Sequence, residues 1–338
     1  MIYPKFIKKD SKIAFIAPSL GAFIEPYHTR VKNAKNVLEE QGYKVECGPN
    51  TFGSNKALSA TKEECAAEIN YYFNDMSTDA VISVGGGELM YEVMNHVDFE
   101  ILKKNPKWFM GFSDNTNLSF LLTTHCDIAS IYGPCAAAFG TTPWEKSTID
   151  AHNLLTGKTL ELNSYDFYEK ESLRTEDNPF ARLNLTEPSI KTKIPNNDFQ
   201  MQGRLLGGCL DILLLFLGTK FDKVKDFNDK YQDDGIIWFL EACDLNVMSI
   251  RRAFAQLDNA GWFKNTKGFI IGRPLNGYQE MFDIDRIEAV YEVIKKYNVP
   301  IIFDADLGHF AESMPLITGS YATVITKGND YKIKMELK

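Results

Sequence analysis

The chain reads as an α/β protein, with a doubly wound parallel sheet in its first half and a second α/β domain after it. Three observations predict this. Short apolar, β-branched runs alternate with stretches of helical spacing, the pattern of repeated strand–helix–strand units. The strand-like runs stop at turn residues, Pro18-Ser19, Gly85-Gly86-Gly87 and Gly111, at the strand ends where such sheets place their ligands. A length of 338 residues exceeds what one core ordinarily holds, so two domains are expected.

The elements follow in order. Lys12 to Ala17 is an apolar strand closed by Pro18-Ser19. Thr29 to Glu40 sets Val31, Ala34, Val37 and Leu38 on one helical face, with Gly42 as the stop signal. Thr61 and Glu64 have capping-box spacing, and the helix they open runs through Ile69 and Phe73. Asp79 to Val84 is a β-branched strand, with helical residues from Glu88. Trp108-Phe109-Met110 is the next strand, followed by a helix through Leu118 and Leu122 and a strand at Ile128 to Ile131. Tyr165 to Gln200 loses periodicity around Pro179, Pro188, Pro195 and Asn196-Asn197. Being longer than usual connections, it reads as a linker or functional loop. This gives an amino-terminal domain over 1–164, the loop over 165–200 and a carboxyl-terminal domain over 201–338. There, Leu205 to Leu217 reads as a buried helix, Gly235 to Leu240 as a strand, and Val247 to Ala260 as an amphipathic helix. Gly268 to Ile271 and Pro300 to Phe303 are strands around a helix over Ile284 to Lys296. The alternating tail Tyr331 to Leu337 predicts a strand at a sheet edge.

Composition narrows the function classes. A formal net charge of −8 disfavours a nucleic acid or an anionic membrane as partner. No apolar stretch is long enough to span a bilayer. Lys5, Lys8, Lys9 and Lys12 flank only the short run Ile13 to Ala17, so no signal peptide is read. The six cysteines are scattered without a CxxC pair, as expected of reduced thiols in a cytoplasmic protein. They are expected to stand apart from the chemistry, and no metal or other cofactor is expected.

Gly111-Phe112-Ser113-Asp114-Asn115, between a strand and a helix, has the layout of a nucleophile elbow. Ser113 is either the nucleophile or a helix N-cap. A nucleophilic serine needs a base, and the chain has only five His. His28, His96, His125 and His152 lie in or beside helical stretches; His309 follows Asp304-Ala305-Asp306-Leu307-Gly308 at the end of a predicted strand. Glu241 ends the apolar run Ile236 to Leu240, where a buried carboxylate requires a partner. That partner is an imidazole or an arginine such as Arg251 or Arg252. Ser, Glu and His in this chain order match a triad, as in α/β-hydrolases, although those carry Gly where Asn115 stands. Gly85-Gly86-Gly87 suits an oxyanion hole shared with the Asp114 amide, or a plain tight turn. A dinucleotide loop is disfavoured, since Met90 occupies its last glycine position. Arg204 and Arg273 are candidates for gripping a substrate carboxylate, or form internal ion pairs.

Taken together, these residues resemble the LD-carboxypeptidases of serine peptidase family S66, the group of muramoyl-tetrapeptide carboxypeptidases and the microcin C immunity peptidase. The resemblance runs from Ala17-Pro18-Ser19 through Val84-Gly85-Gly86 and Gly111-Phe112-Ser113-Asp114 to Gly203-Arg204-Leu205-Leu206-Gly207-Gly208. Phe239-Leu240-Glu241, Gly308-His309 and Pro315 complete it. It implies a flavodoxin-like amino-terminal domain, a smaller carboxyl-terminal α/β domain and a homodimer. It also implies Ser113 as nucleophile, Glu241 and His309 as its partners, and Gly86 with Asp114 as oxyanion donors. The implied substrate is a short cell-wall peptide or a peptidyl-nucleotide of microcin C type, cleaved after an L-configured residue. The loop over 165–200 has the length of the immunity branch but no Trp to stack on a nucleotide; Phe167, Phe180 and Phe199 are the substitutes to consider. Two other classes share these features: a non-catalytic two-domain small-ligand binding protein, and an esterase with the same triad.

Overall fold

The computed structural model describes residues 1–338. They divide into two compact units, one of residues 1–160, 171–184 and 315–317, the other of 161–170, 185–314 and 318–338. No helix is long and apolar enough to cross a membrane.

The first unit holds five parallel strands, β1 (Lys12–Ile16), β2 (Lys44–Cys47), β3 (Thr78–Ser83), β4 (Trp108–Gly111) and β5 (Ser130–Tyr132). Their spatial order, 2-1-3-4-5, is that of a flavodoxin-like sheet. Helices α1 (Tyr27–Glu40), α2 (Lys62–Asn74), α3 (Met90–Val93), α4 (Phe99–Lys104), α5 (Thr116–Thr124) and α6 (Lys146–Thr156) connect or follow them. Parallel strands covered on both faces need apolar residues throughout, and Ile13 to Ile16, Ala80 to Ile82 and Trp108 to Met110 are all buried. The capping box that opens α2 forms as its spacing requires: Thr61 Oγ1 accepts the Glu64 amide at 3.2 Å, and the Thr61 amide donates to Glu64 Oε2 at 3.0 Å.

The second unit is built on an eight-stranded mixed sheet. Its centre is the parallel set β10 (Gln200–Cys209), β11 (Ile236–Glu241), β12 (Thr266–Gly272) and β13 (Ile301–Ala305). Antiparallel β9 (Thr192–Ile194) closes one side, and β15 (Tyr321–Lys327), β16 (Asp330–Glu336) and β6 (Glu161–Asn163) extend the other. A separate hairpin pairs β7 (Phe167–Glu169) with β8 (Leu185–Pro188), and β14 (Leu316–Thr318) joins the edge of the first sheet beside β5. Helices α7 (Leu210–Leu213), α8 (Val224–Lys230), α9 (Val247–Asn259) and α10 (Arg286–Ile294) lie in the connections.

Two sequence expectations change. Leu205 to Cys209 belongs to a strand, and helix starts only at Leu210. Both faces of β10 are buried there, which erases the alternation that distinguishes strand from helix. Gly207-Gly208 therefore serves sheet pairing: Gly207 has φ +157°, and a Cβ on it would overlap the Phe239 carbonyl of β11. The tail strand β16 is not an edge, because β6 pairs outside it. The polar stretch 165–200 carries three short strands, and its residues 171–184 group with the first unit.

The glycine at 207 yields a direct test. Gly207→Ala forces the two central strands of the second sheet apart and should cost about 1–3 kcal/mol by overpacking alone, read as a lower midpoint in urea unfolding.

Candidate active site

In the first unit the chain leaves β4 at Gly111 and turns sharply at Ser113, whose φ of +63° lies in the left-handed region. A non-glycine residue there carries strain that its surroundings must hold, a recurrent mark of functional turns. Those surroundings are specific. A Cβ at Gly111 would come within 2.8 Å of the Asn115 side chain, so the glycine makes room for that residue. Asn115 Nδ2 donates to the Gly85 carbonyl at 2.8 Å and to the Phe112 carbonyl at 3.0 Å. Asn115 thus joins the elbow to the glycine run after β3, which a glycine at this position would not do. The Ser113 amide donates to the Tyr132 hydroxyl at 3.2 Å, on the neighbouring strand β5. Gly86 lies against the serine: a Cβ there would be 3.2 Å from Ser113 Oγ and 3.9 Å from the Asp114 nitrogen. The Asp114 carboxylate is buried and accepts from Ser19 Oγ, from the Met90 amide at 3.0 Å and from Asn117 Nδ2 at 2.9 Å. Burial raises its pKa above the ordinary carboxylate value, against the pull of those hydrogen bonds.

In the second unit Glu241 is the last residue of β11 and is buried, so it needs a charge partner. Its Oε2 lies 2.9 Å from His309 Nδ1. The approach depends on Gly308, at φ +116°, where a Cβ would press to 3.1 Å from Glu241 Oε2 and 3.3 Å from the Arg273 carbonyl. Burial by itself would lower the His309 pKa; the Glu241 charge, with hydrogen bonds to the Cys243 thiol and to Glu241, outweighs it and raises the pKa above the ordinary imidazole value. With Nδ1 on the carboxylate, Nε2 is the nitrogen suited to exchange a proton with a substrate or nucleophile.

The remaining candidates separate. Arg204 is buried, with Nε on Asp234 at 2.8 Å, Nη1 on the Gly319 carbonyl at 2.8 Å and its plane 4.0 Å over Tyr231. Arg273 is buried too, donating to Ser189 Oγ and the Asp304 carbonyl at 2.8 Å each and to Asp306 at 3.0 Å. Internal pairing is the role these partners describe for both. His28 meets the Ala22 carbonyl, His96 the Glu63 carboxylate and His152 the Tyr43 hydroxyl, while His125 packs on Phe99. Phe167 and Phe180 are largely exposed, and Phe199 is fastened beside β15 through backbone bonds to Thr326. All six cysteines are free thiols. Tyr132 gave no signal in the sequence, because it acts through a contact that only the folded sheet makes.

Comparison with known proteins gives the same frame. The model described as the LD-carboxypeptidase N-terminal domain matches residues 13–133, and that of the LD-carboxypeptidase C-terminal domain matches 202–324. A putative carboxypeptidase of Vibrio cholerae is 24% identical over 99% of this chain and 98% of its own. A probable murein peptide carboxypeptidase of Bacillus subtilis is 24% identical over 96% of this chain and 91% of its own. Among solved structures, the microcin C7 self-immunity protein MccF, known from Escherichia coli, in complex with aspartyl sulfamoyl adenosine has a TM-score of 0.83 at 19% identity, covering 99% of both chains. That likeness shows the fold.

The Glu241–His309 pair fixes a pH response. Because the folded imidazole pKa is raised, the pair's stabilisation is complete below the unfolded value near 6.5. It is lost as pH rises through the folded value. NMR titration of His309 should give a pKa above the ordinary one, and Glu241→Gln should lower it by about one unit or more. The stability difference between wild type and Glu241→Gln should accordingly shrink at alkaline pH.

Proposed function

The chain belongs to the LD-carboxypeptidase family, peptidase S66, and we propose that it is a serine peptidase that hydrolyses the amide after an L-configured residue in short peptides. The observation that carries this reading is the strained backbone of Ser113 at the carboxyl end of β4, which presents a hydroxyl beside the Gly86 backbone. The imidazole held by a buried carboxylate in the second unit supports it independently.

In the proposed mechanism Ser113 Oγ attacks the carbonyl while His309 Nε2, in the neutral form of the ring, takes its proton. The amides of Gly86 and Asp114 hold the oxyanion; the Ser113 amide is already spent on Tyr132. His309 then protonates the leaving amine, and water releases the acyl group by the reverse sequence. Glu241 fixes the imidazole tautomer and stabilises its charged form. The substrates proposed are cell-wall tetrapeptides ending in a D-amino acid and aminoacyl or peptidyl nucleotides. The first follows from the Bacillus subtilis relative, a probable murein peptide carboxypeptidase, and the second from the ligand bound by MccF. Action in the cytoplasm as a homodimer belongs to the same proposal.

A panel of muropeptide tetrapeptides and aminoacyl-sulfamoyl adenylates, followed by mass spectrometry, tests the reading. Ser113→Ala should abolish turnover, and Glu241→Gln should lower kcat about 10⁴-fold by analogy with other triads. Cleavage that survives Ser113→Ala rejects it.

Selectivity is expected to follow the loop over 165–200. Without a Trp over 165–200, selection for adenylates should lack one stacking platform worth about 1–3 kcal/mol. Activity should therefore spread over several short amides. Alanine at Phe167, Phe180 and Phe199 in turn would reveal a substitute through a selective loss on adenylates. Mild iodoacetamide treatment should leave hydrolysis largely intact, since the scattered free thiols are expected to stand apart from the chemistry.

A further inference from the structure

The Asp114 side chain carries out a task separate from that of its amide. We infer that its carboxylate is the positioning group that sets the Gly86 and Asp114 amides relative to Ser113, an inference that rests on the serine-peptidase reading.

The carboxylate is 1% exposed and joins three segments of the first unit. Oδ2 accepts from Ser19 Oγ, in the loop after β1, and from the Met90 amide at 3.0 Å, where α3 begins after the glycine run. Oδ1 accepts from Asn117 Nδ2 at 2.9 Å, in the first turn of α5. The glycine run is thereby held on both sides, by Met90 on the carboxylate and by the Leu20 amide, which donates to the Gly86 carbonyl at 3.1 Å. Gly87 shows how tightly: at φ +153°, a Cβ on it would overlap Ser19 Oγ, the same hydroxyl that donates to Asp114. Gly86 in turn lies against the nucleophile, 3.2 Å from Ser113 Oγ to the point where its Cβ would be. Displacing the carboxylate therefore releases Ser19 and Met90 together and lets Gly86 drift from Ser113.

The arrangement also answers an electrostatic objection. A carboxylate this near a developing oxyanion opposes it, unless its own charge is taken up elsewhere. Here both oxygens face donors on other segments. Donors aimed at a transition-state charge lose their effect with sub-ångström displacement, so a group that holds two of them acts on kcat and hardly on ground-state binding.

Asp114→Asn tests this at nearly constant volume, because its single acceptor oxygen can serve the Met90 N–H or Asn117 Nδ2 but not both, as the two carboxylate oxygens do. On the amide that wild type cleaves best, Asp114→Asn should lower kcat about 100-fold with KM within about threefold, the pattern of lost oxyanion stabilisation. Ser19→Ala should lower kcat about tenfold, and the double variant should be no worse than Asp114→Asn alone, since both act through one linkage. Hydrogen exchange of the intact protein should speed up in peptides holding Leu20 and Met90 and stay unchanged in the second unit, which separates the effect from unfolding. A kcat within twofold of wild type, or unchanged exchange at Leu20 and Met90, overturns the inference. Turnover surviving Ser113→Ala would instead reject the serine-peptidase reading. In that case the exchange measurement still decides whether the carboxylate holds the glycine run.

Discussion

A serine held at positive φ is the constraint around which the first unit is arranged. The left-handed conformation is unfavourable for a residue with a Cβ, so the turn persists only because contacts on several sides over-determine it. Tyr132 takes the Ser113 amide from β5, Asn115 takes carbonyls of the glycine run and of the turn itself, and Asp114 takes Ser19 and Met90. Strands β1, β3, β4 and β5 each send a residue or a loop to this point. Their neighbouring order in a parallel sheet, with all carboxyl ends on one side, makes that convergence possible.

The second unit solves a different problem, the cost of a buried carboxylate. Glu241 completes an apolar strand whose six residues are all buried, and such a charge persists only with a partner. The partner is the His309 imidazole, brought close by a glycine whose conformation and missing side chain are both needed. A polar group that would otherwise weaken the core instead fixes which imidazole nitrogen faces outward.

Both arginines considered for substrate binding show how burial redirects a charged residue. Arg204 meets Asp234, a backbone carbonyl and the face of Tyr231, and Arg273 meets Asp306, Ser189 and a carbonyl of β13. Guanidinium groups with several fixed donors suit such interior junctions. Arg204 joins β10 to the segments that precede β11 and β15, and Arg273 joins the end of β12 to β13 and to the segment after β8.

Local chemistry determined much of this protein in advance. The capping box at Thr61, the glycine run, the elbow pentapeptide and the strand ends at Glu241 and before His309 were legible, because each depends on neighbours within a few residues. So was the parallel first sheet, since strand–helix alternation leaves few other arrangements. What only the tertiary structure decided has the opposite character. The strand Leu205 to Cys209 looked helical because burial on both faces removes periodicity, and the tail became an inner strand because β6, far earlier in the chain, pairs outside it. Tyr132 on the Ser113 amide and the Ser19 and Met90 contacts of Asp114 were equally hidden. Sequence spacing encodes what a residue can do with its neighbours, whereas these contacts depend on which strands lie side by side.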